Sequence, residues 1–402
     1  MALLLFTTAA GKVIYVDTDV NVKGNGKAWK TAYRNLQDAI NNATAGDEIW
    51  VSEGIYKPSE TVGGKEIRHR SFQLKNKVAL YGGFSAIEID RDQRDWQLHK
   101  TVLSGDLNGD DAGLTNNDEN CYHVVTGNET DSSAVIDGFT VTAGNANVDV
   151  WPDDGGGGMN NYLGSPTVRN CTFIGNAAYA DGGGIRNWGD CKPTIKNCSF
   201  RNNKVSQEGG GIMNGPDSSP IIMDCIFLQN SAGEDGGGMY NNESIAVVVN
   251  CIFNENLADL TGGGMYNVNG GNPTVTNCTF HKNVAKRAGG GISNNKSNPS
   301  ITNCIIWDDS ALTDSEIHNS ESSPRVTYSV ITDGYPGKGN IKQDPRLIDR
   351  IFRVESDSPC IDAGDNRAVP DFIKTDFGSN PRIINDNVDI GPYEFDNKAL
   401  YR

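Results

Sequence analysis

The sequence predicts an all-β fold: a single-stranded right-handed parallel β-helix, a solenoid with three short strands per coil and a short N-terminal capping helix. Three observations carry this expectation. Six cysteines, Cys171, Cys198, Cys225, Cys251, Cys278 and Cys304, recur every 26 to 27 residues. Glycine triplets beginning at Gly156, Gly182, Gly209, Gly236, Gly262 and Gly289 keep the same period. Phe173, Phe200, Phe227, Phe253 and Phe280 each follow a repeat cysteine by two residues and precede an Asn by three.

Within a unit, glycine, asparagine and proline interrupt the chain every five or six residues, too often for helical repeats. The first strand follows the glycines, as in Gly237-Gly-Met-Tyr-Asn241. The second is the Pro273-Thr-Val-Thr276 type and the third the Cys278-Thr-Phe280 type, whose alternation turns Cys and Phe inward together. Val275 and Cys278 both belong in the core yet stand an odd number of residues apart. A left-handed bend at Asn277 resolves this, because Asn tolerates that conformation best after Gly. The equivalents Asn170, Asn197, Asp224, Asn250 and Asn303 are then expected to stack as a hydrogen-bonded ladder. The cysteines are expected to form a column of reduced thiols, since free Cys packs as a small apolar group.

Four segments follow along the chain. Residues 1–12 resemble the end of a secretory signal, an apolar run followed by small residues. Residues 13–150 read as an N-terminal cap and irregular coils. Leu36, Ala39, Ile40 and Ala43 fall at helical spacing and stop at Gly46. Later runs suggest coils shorter than the regular unit. Residues 151–307 are the regular repeats. Residues 308–402 read as two or three further coils and a closing segment.

The pairing of Gly-Gly-Gly-Ile or -Met with Phe-x-x-Asn resembles the repeats of chlamydial polymorphic outer-membrane proteins and their bacterial right-handed β-helix relatives. The flanks resemble exported bacterial β-helix proteins in Ile14-Tyr-Val-Asp17, Leu36-Gln-Asp-Ala-Ile40, Gly46-Asp-Glu-Ile-Trp-Val51, Ser358-Pro-Cys-Ile-Asp-Ala-Gly-Asp365 and Val388-Asp-Ile-Gly-Pro-Tyr-Glu394. The resemblance implies an exported protein, extracellular or on the bacterial cell surface. It implies no single activity, because this fold carries lyases, hydrolases, adhesins and structural fibres.

Lys and Arg number 35 against 51 Asp and Glu, a net charge of −16, which argues against nucleic acid as a partner. No apolar stretch is long enough for a membrane-spanning helix. The expected partners are a cell-surface glycan or further copies of the chain, and the leading expectation is a surface or matrix protein presenting a rigid face for adhesion or self-assembly. The alternative is a polysaccharide lyase or glycoside hydrolase, or a glycan-binding protein, using the turn before the glycine triplets. There Asp154, Asp181, Glu208 and Asp235 place one carboxylate per coil. Stacked acids raise one another's pKa and suit acid–base work; they also suit a cation or a plain turn. As catalytic residues this alternative names Asp181, Glu208 and Asp235. Beside them Arg186, Trp188, Tyr240 and Tyr266 are expected to face outward, either to hold sugar rings or carboxylates or to pack laterally, one coil's Tyr on the next. The loop Asp106-Leu-Asn-Gly-Asp-Asp111 is partly like a calcium loop and offers Asp106, Asn108, Asp110 and Asp111 as ligands, although Asp111 and Asn117 replace the Gly and Glu of an EF-hand. Ca2+ is the one cofactor the sequence suggests.

Overall fold

The computed structural model describes residues 11–21, 24–111, 115–348 and 352–396. The expected signal remnant falls largely outside them. The described chain forms a parallel β-solenoid of about ten coils, with strands stacked in sheets of nine, eleven and ten. Sheet 1 collects the strands after the glycines, such as Met239–Asn242; sheet 2 those of the Val247–Val249 type; sheet 3 those of the Ile252–Asn254 type. The repeat sets the register without slippage: Met239 pairs with Met265, Val248 with Val275 and Phe253 with Phe280. Between sheets 3 and 1 a further ladder of two-residue strands, such as Leu257–Ala258, runs through six coils.

Four columns fill the interior, one of them the second-strand Val or Ile from Val168 to Ile301. The Met or Ile after each glycine triplet, the repeat cysteine and the repeat phenylalanine are all buried. The Phe rings stack nearly parallel, from 5.1 Å between Phe173 and Phe200 to 4.5 Å between Phe253 and Phe280. All nine cysteines are free and buried. The glycines are steric necessities. Gly236 has φ +69°, and a Cβ on Gly237 would stand 2.5 Å from the Leu257 carbonyl oxygen.

The bends between sheets 2 and 3 are left-handed at Asn170, Asn197, Asp224, Asn250, Asn277 and Asn303, with φ of 51–57°. The expected ladder there is only partial. Asn197 donates to Asn170 and Asn250 to Asp224, but Asn277 and Asn303 donate instead to backbone oxygens of Asp389 and Asp365. Two longer ladders run elsewhere. One joins Asn176, Asn203, Asn230, Asn256 and Asn283 and ends on Asp309. The other runs from Asn161 through Asn187, Asn214, Asn241, Asn267 and Asn294 to Asn319.

Helix α1 (Leu36–Asn42) starts at Asn35, whose side chain accepts from the Gln37 N–H. It buries Leu36, Ala39 and Ile40 against the first coil, as the spacing predicts. Two expectations for the flanks are corrected. The early coils are longer than the regular unit, because Val13, Glu48, Ala79 and Val135 are the equivalent positions and long loops separate them. After Trp307 a single further coil follows (Ile317–Ser320, Arg325–Thr327, Val330–Ile331) rather than two or three. The chain then folds back along the outside, over the bends at Asn250, Asn277 and Asn303. A buried ion pair anchors it, Arg382 with Glu394, and Arg382 also bonds Asn250 (3.0 Å). Tyr33 and Tyr335 pack on the core near its two ends.

Candidate active site

The turn entering sheet 1 brings the acids together as the repeat requires. Asp181 is bridged in parallel to Gly155 on one side and to Glu208 on the other. The Gly209 N–H donates to the Asp235 carbonyl, which carries the column one coil further (3.0 Å). Asp154 stands one residue back and joins the column through Arg186. The Arg186 guanidinium lies 2.7 Å from Asp154 Oδ1 and 3.6 Å from Asp181 Oδ1; its Nε donates to Asn160 Oδ1 at 3.0 Å and its Nη2 to the Pro152 carbonyl.

Of the two expectations for the outward side chains of sheet 1, these placements favour lateral packing over a free face. Arg186 is completely buried, and Tyr240 and Tyr266 are only 9% and 8% exposed. The two tyrosine rings pack on each other at 5.6 Å and on Met213 and Val268. The reason is lateral: large side chains on adjacent coils, about 4.8 Å apart, cover one another. At its first coils the sheet is also covered by the segment 147–154. Trp188 alone of the four is half-buried, with its ring 5.4 Å from that of Trp151.

Burial and like charge set the electrostatics. Asp181 is pushed up to about 6, chiefly by burial, with Arg186 opposing and Asp154 adding to the rise. Glu208 is pushed up to about 7 by burial and by the charges of Asp181, Glu234 and Asp235. Burial also raises Asp235, against hydrogen bonds from Thr261. Asp181 Oδ1 accepts no hydrogen bond.

Four residues here were missed in the sequence: His69, His123, Trp151 and Asp153. His69 Nε2 lies 3.1 Å from Asp153 Oδ2, and His123 Nε2 lies 3.8 Å from Asp153 Oδ1. His123 Nδ1 donates to the Gly156 carbonyl (3.1 Å), which leaves Nε2 as the basic nitrogen. Burial and the nearby Arg186 charge hold His123 down at about 3, so its imidazole is neutral. His69 Nδ1 and His123 Nε2 are both buried without a hydrogen-bond partner. The signal for His123 lay in the register. Val125 pairs with Met159, so continuing that pairing puts His123 opposite Gly157, one coil before the first triplet. His69 ends a 3-10 turn (Ile67–His69) and Asp153 sits in a loop, both outside the repeat, and nothing local marks them.

The acidic loop brings two of the expected ligands, Asp106 and Asp110, together with Glu119. Ligand atoms of Asp106, Asp110 and Glu119 lie within 4.8 Å of one another. Asn108 meets Glu119 through its backbone N–H, and Asp111 Oδ2 accepts from Asn120. An apolar cleft of about 230 Å3 lies elsewhere, between Ile305 and the returning chain at Phe352 and Tyr393. It offers shape rather than chemistry, since its Glu394 is tied to Arg382.

Fold and sequence pattern together define the class, a right-handed β-helix repeat protein: residues 123–306 match the family described as "Right handed beta helix region". That match begins one coil before the first glycine triplet, at His123. Among solved structures the chain is similar to pectate lyase Pel9A, with 12% identity over 96% of this chain and 97% of that one and a TM-score of 0.54. It is also similar to XylC in complex with xylose, with 11% identity over 94% and 98% and a TM-score of 0.36. At these identities the likeness to Pel9A speaks for the fold alone, and the second carries no argument. No curated protein sequence matches the chain.

Proposed function

We propose that this chain is a polysaccharide-active enzyme, exported to its substrate, that cleaves glycosidic bonds at the edge carrying Asp181 and Glu208. The observation that supports it most is the pair itself: neighbours in register, with Asp181 raised to about 6 and Glu208 to about 7. Two carboxyls whose environments separate their pKa values can divide acid and base roles near neutral pH. Glu208, the weaker acid, donates its proton to the leaving glycosidic oxygen. Asp181, held towards its anionic form by Arg186 and only 7% exposed, stabilises the positive charge that develops at the anomeric carbon. The backbones that carry the pair are bridged at a strand spacing of about 4.8 Å, within reach of the about 5–5.5 Å that separates the carboxyls of a retaining pair. Water then completes hydrolysis, with Glu208 taking back a proton. A lyase would need an accessible base beside a charge-neutralising group; Arg186 is buried against Asp154 and His123 is a weak base.

The test is incubation with a panel of neutral and acidic polysaccharides, reading new reducing ends and the absorbance of unsaturated uronates. Reducing ends without that absorbance, lost about 100-fold or more in Asp181→Asn and Glu208→Gln, are the expected result. Unsaturated products, or turnover indifferent to both substitutions, would count against this mechanism. The rival reading is a surface or matrix protein that adheres or self-assembles through its repetitive face. The regular stacking of sheet 1 favours it; α1 and Tyr335, packed on the core near its two ends, oppose end-to-end assembly. Fibres seen by electron microscopy, with or without calcium, from a protein inactive on every glycan would favour the rival.

A further inference from the structure

The same edge narrows the ligand. Trp151 is 47% exposed and Tyr162 37%, large apolar rings left open to solvent. They meet edge-on at 5.7 Å, and Trp151 leans on Trp188 at 5.4 Å. Tyr162 and Trp188 end neighbouring strands of sheet 1 and pair in register, so that side of the cluster rests on the rigid solenoid. Trp151 arrives from the preceding loop and is fixed on both flanks. The Arg186 guanidinium sits 4.5 Å from its ring centroid, and the following Asp153 and Asp154 are held by His69 and Arg186. The guanidinium that supports Trp151 is also the one 3.6 Å from Asp181. Trp151, Arg186 and Asp181 thus form a continuous stack that links the platform to the carboxyl pair.

The charge around this platform is one-sided. Asp153, Asp154, Asp181, Glu208, Glu234 and Asp235 line the edge. The cation built into it, Arg186, is fully buried and already faces two carboxylates. Burial and these like charges already disfavour ionisation of Glu208. A uronate would add an anion to that field; the exposed Arg287 acts at Asp235, coils away from Trp151, and the guanidinium beside Trp151 is buried. A neutral pyranose offers the complement: C–H faces for the rings and hydroxyls for the carboxylates.

We infer that Trp151, Tyr162 and Trp188 form a binding subsite for a neutral pyranose, and that the site discriminates against uronates. This rests on the reading of Asp181 and Glu208 as glycan-facing, but its test does not need turnover. Tryptophan fluorescence is titrated in Glu208→Gln with gluco-, xylo-, manno- and galacto-configured neutral hexasaccharides and with hexagalacturonate. Saturable quenching by a neutral series, with hexagalacturonate at least tenfold weaker, is expected. Affinity should fall about tenfold or more in Trp151→Ala and recover in part in Trp151→Phe, with thermal midpoints checked for both. Quenching by hexagalacturonate at least as strong as by every neutral sugar, or by none of the six-residue probes, overturns the inference. The catalytic reading fails separately. If the neutral sugar binds as expected but the wild-type protein releases no product from it, the subsite stands and the mechanism falls.

Discussion

Two columns of polar side chains run along this solenoid, one residue per coil, and they behave oppositely. The buried amide column from Asn176 to Asn283 closes on itself. Each Nδ2 donates to the next Oδ1 at 2.9–3.0 Å and to a Phe or Val carbonyl, and each Oδ1 accepts in return. The acid column Asp181, Glu208, Asp235 has acceptors only. It must find its donors outside itself: Arg186 near one end, Thr261 at the other, and raised proton affinity between. The amide ladder shows the same effect where it stops, because Asp309 at its end is raised well above the ordinary carboxylate range by burial and by Glu316. Stacking equal units stabilises a fold when the unit is self-complementary and leaves free chemistry when it is not.

The largest effect expected from this contrast is in the amide column. Asn230 donates to Asn256 and to the Phe200 carbonyl and accepts from the backbone and side chain of Asn203. Asn230→Ala strands several buried groups at once and should lower stability by about 3 kcal/mol or more, read by chemical denaturation. Asp235→Asn, in the other column, should cost little. Asn can still accept from Thr261, and one charge leaves a crowded edge. Equal losses at the two positions would erase the distinction.

A smaller effect tests the acid column by pH. The folded state raises Glu208 from 4.5 to about 7, so it binds this proton more tightly than the unfolded chain does. The associated stability is full below about pH 4.5 and is lost as pH climbs through about 7. Gln does not titrate. Glu208→Gln should therefore match the wild type near pH 4.5 and exceed it by about 1–3 kcal/mol at pH 8, while losing activity. Thermal midpoints of both proteins between pH 4 and 8 check this, and a gap that is constant with pH would contradict the assignment.

The legible part of this molecule was its periodicity. Cys, Phe and Gly at fixed intervals specify coil length, the inward columns and the left-handed bends, because each is a local demand repeated without change. Alternation also separated inside from outside, but it could not say what covers an outward residue. Tyr240 and Tyr266 point away from the core and are nevertheless buried by each other, and Arg186 is closed over by Trp151. Aperiodic loops escaped entirely. His69 meets Asp153 across one intervening coil, and the C-terminal chain turns back to take the hydrogen bonds of Asn277 and Asn303 that a ladder would have used. Carboxylates at Asp181, Glu208 and Asp235 were visible because they keep the period; the histidines beside them do not.

The smallest expected effect belongs to the third column, which serves as the inert control. Each repeat thiol donates to the carbonyl two residues earlier, as Cys225 does to Met223 at 3.2 Å, and lies in the core. Burial raises the pKa of Cys171, Cys198, Cys225, Cys251 and Cys278 well above the usual thiol value, so thiolate is scarce at any working pH. An exposed cysteine reacts with a thiol reagent at pH 8 within minutes; these should not react until the coils open. All nine cysteines should therefore stay unlabelled in the native protein and all nine should label in denaturant, counted by mass. Asn230→Ala should quicken labelling of Cys225 and Cys251 by weakening their coils, whereas Glu208→Gln should not. Prompt labelling of any repeat thiol in the native wild type would place the sulfur column outside the core and undo the inward alternation from which the whole register follows.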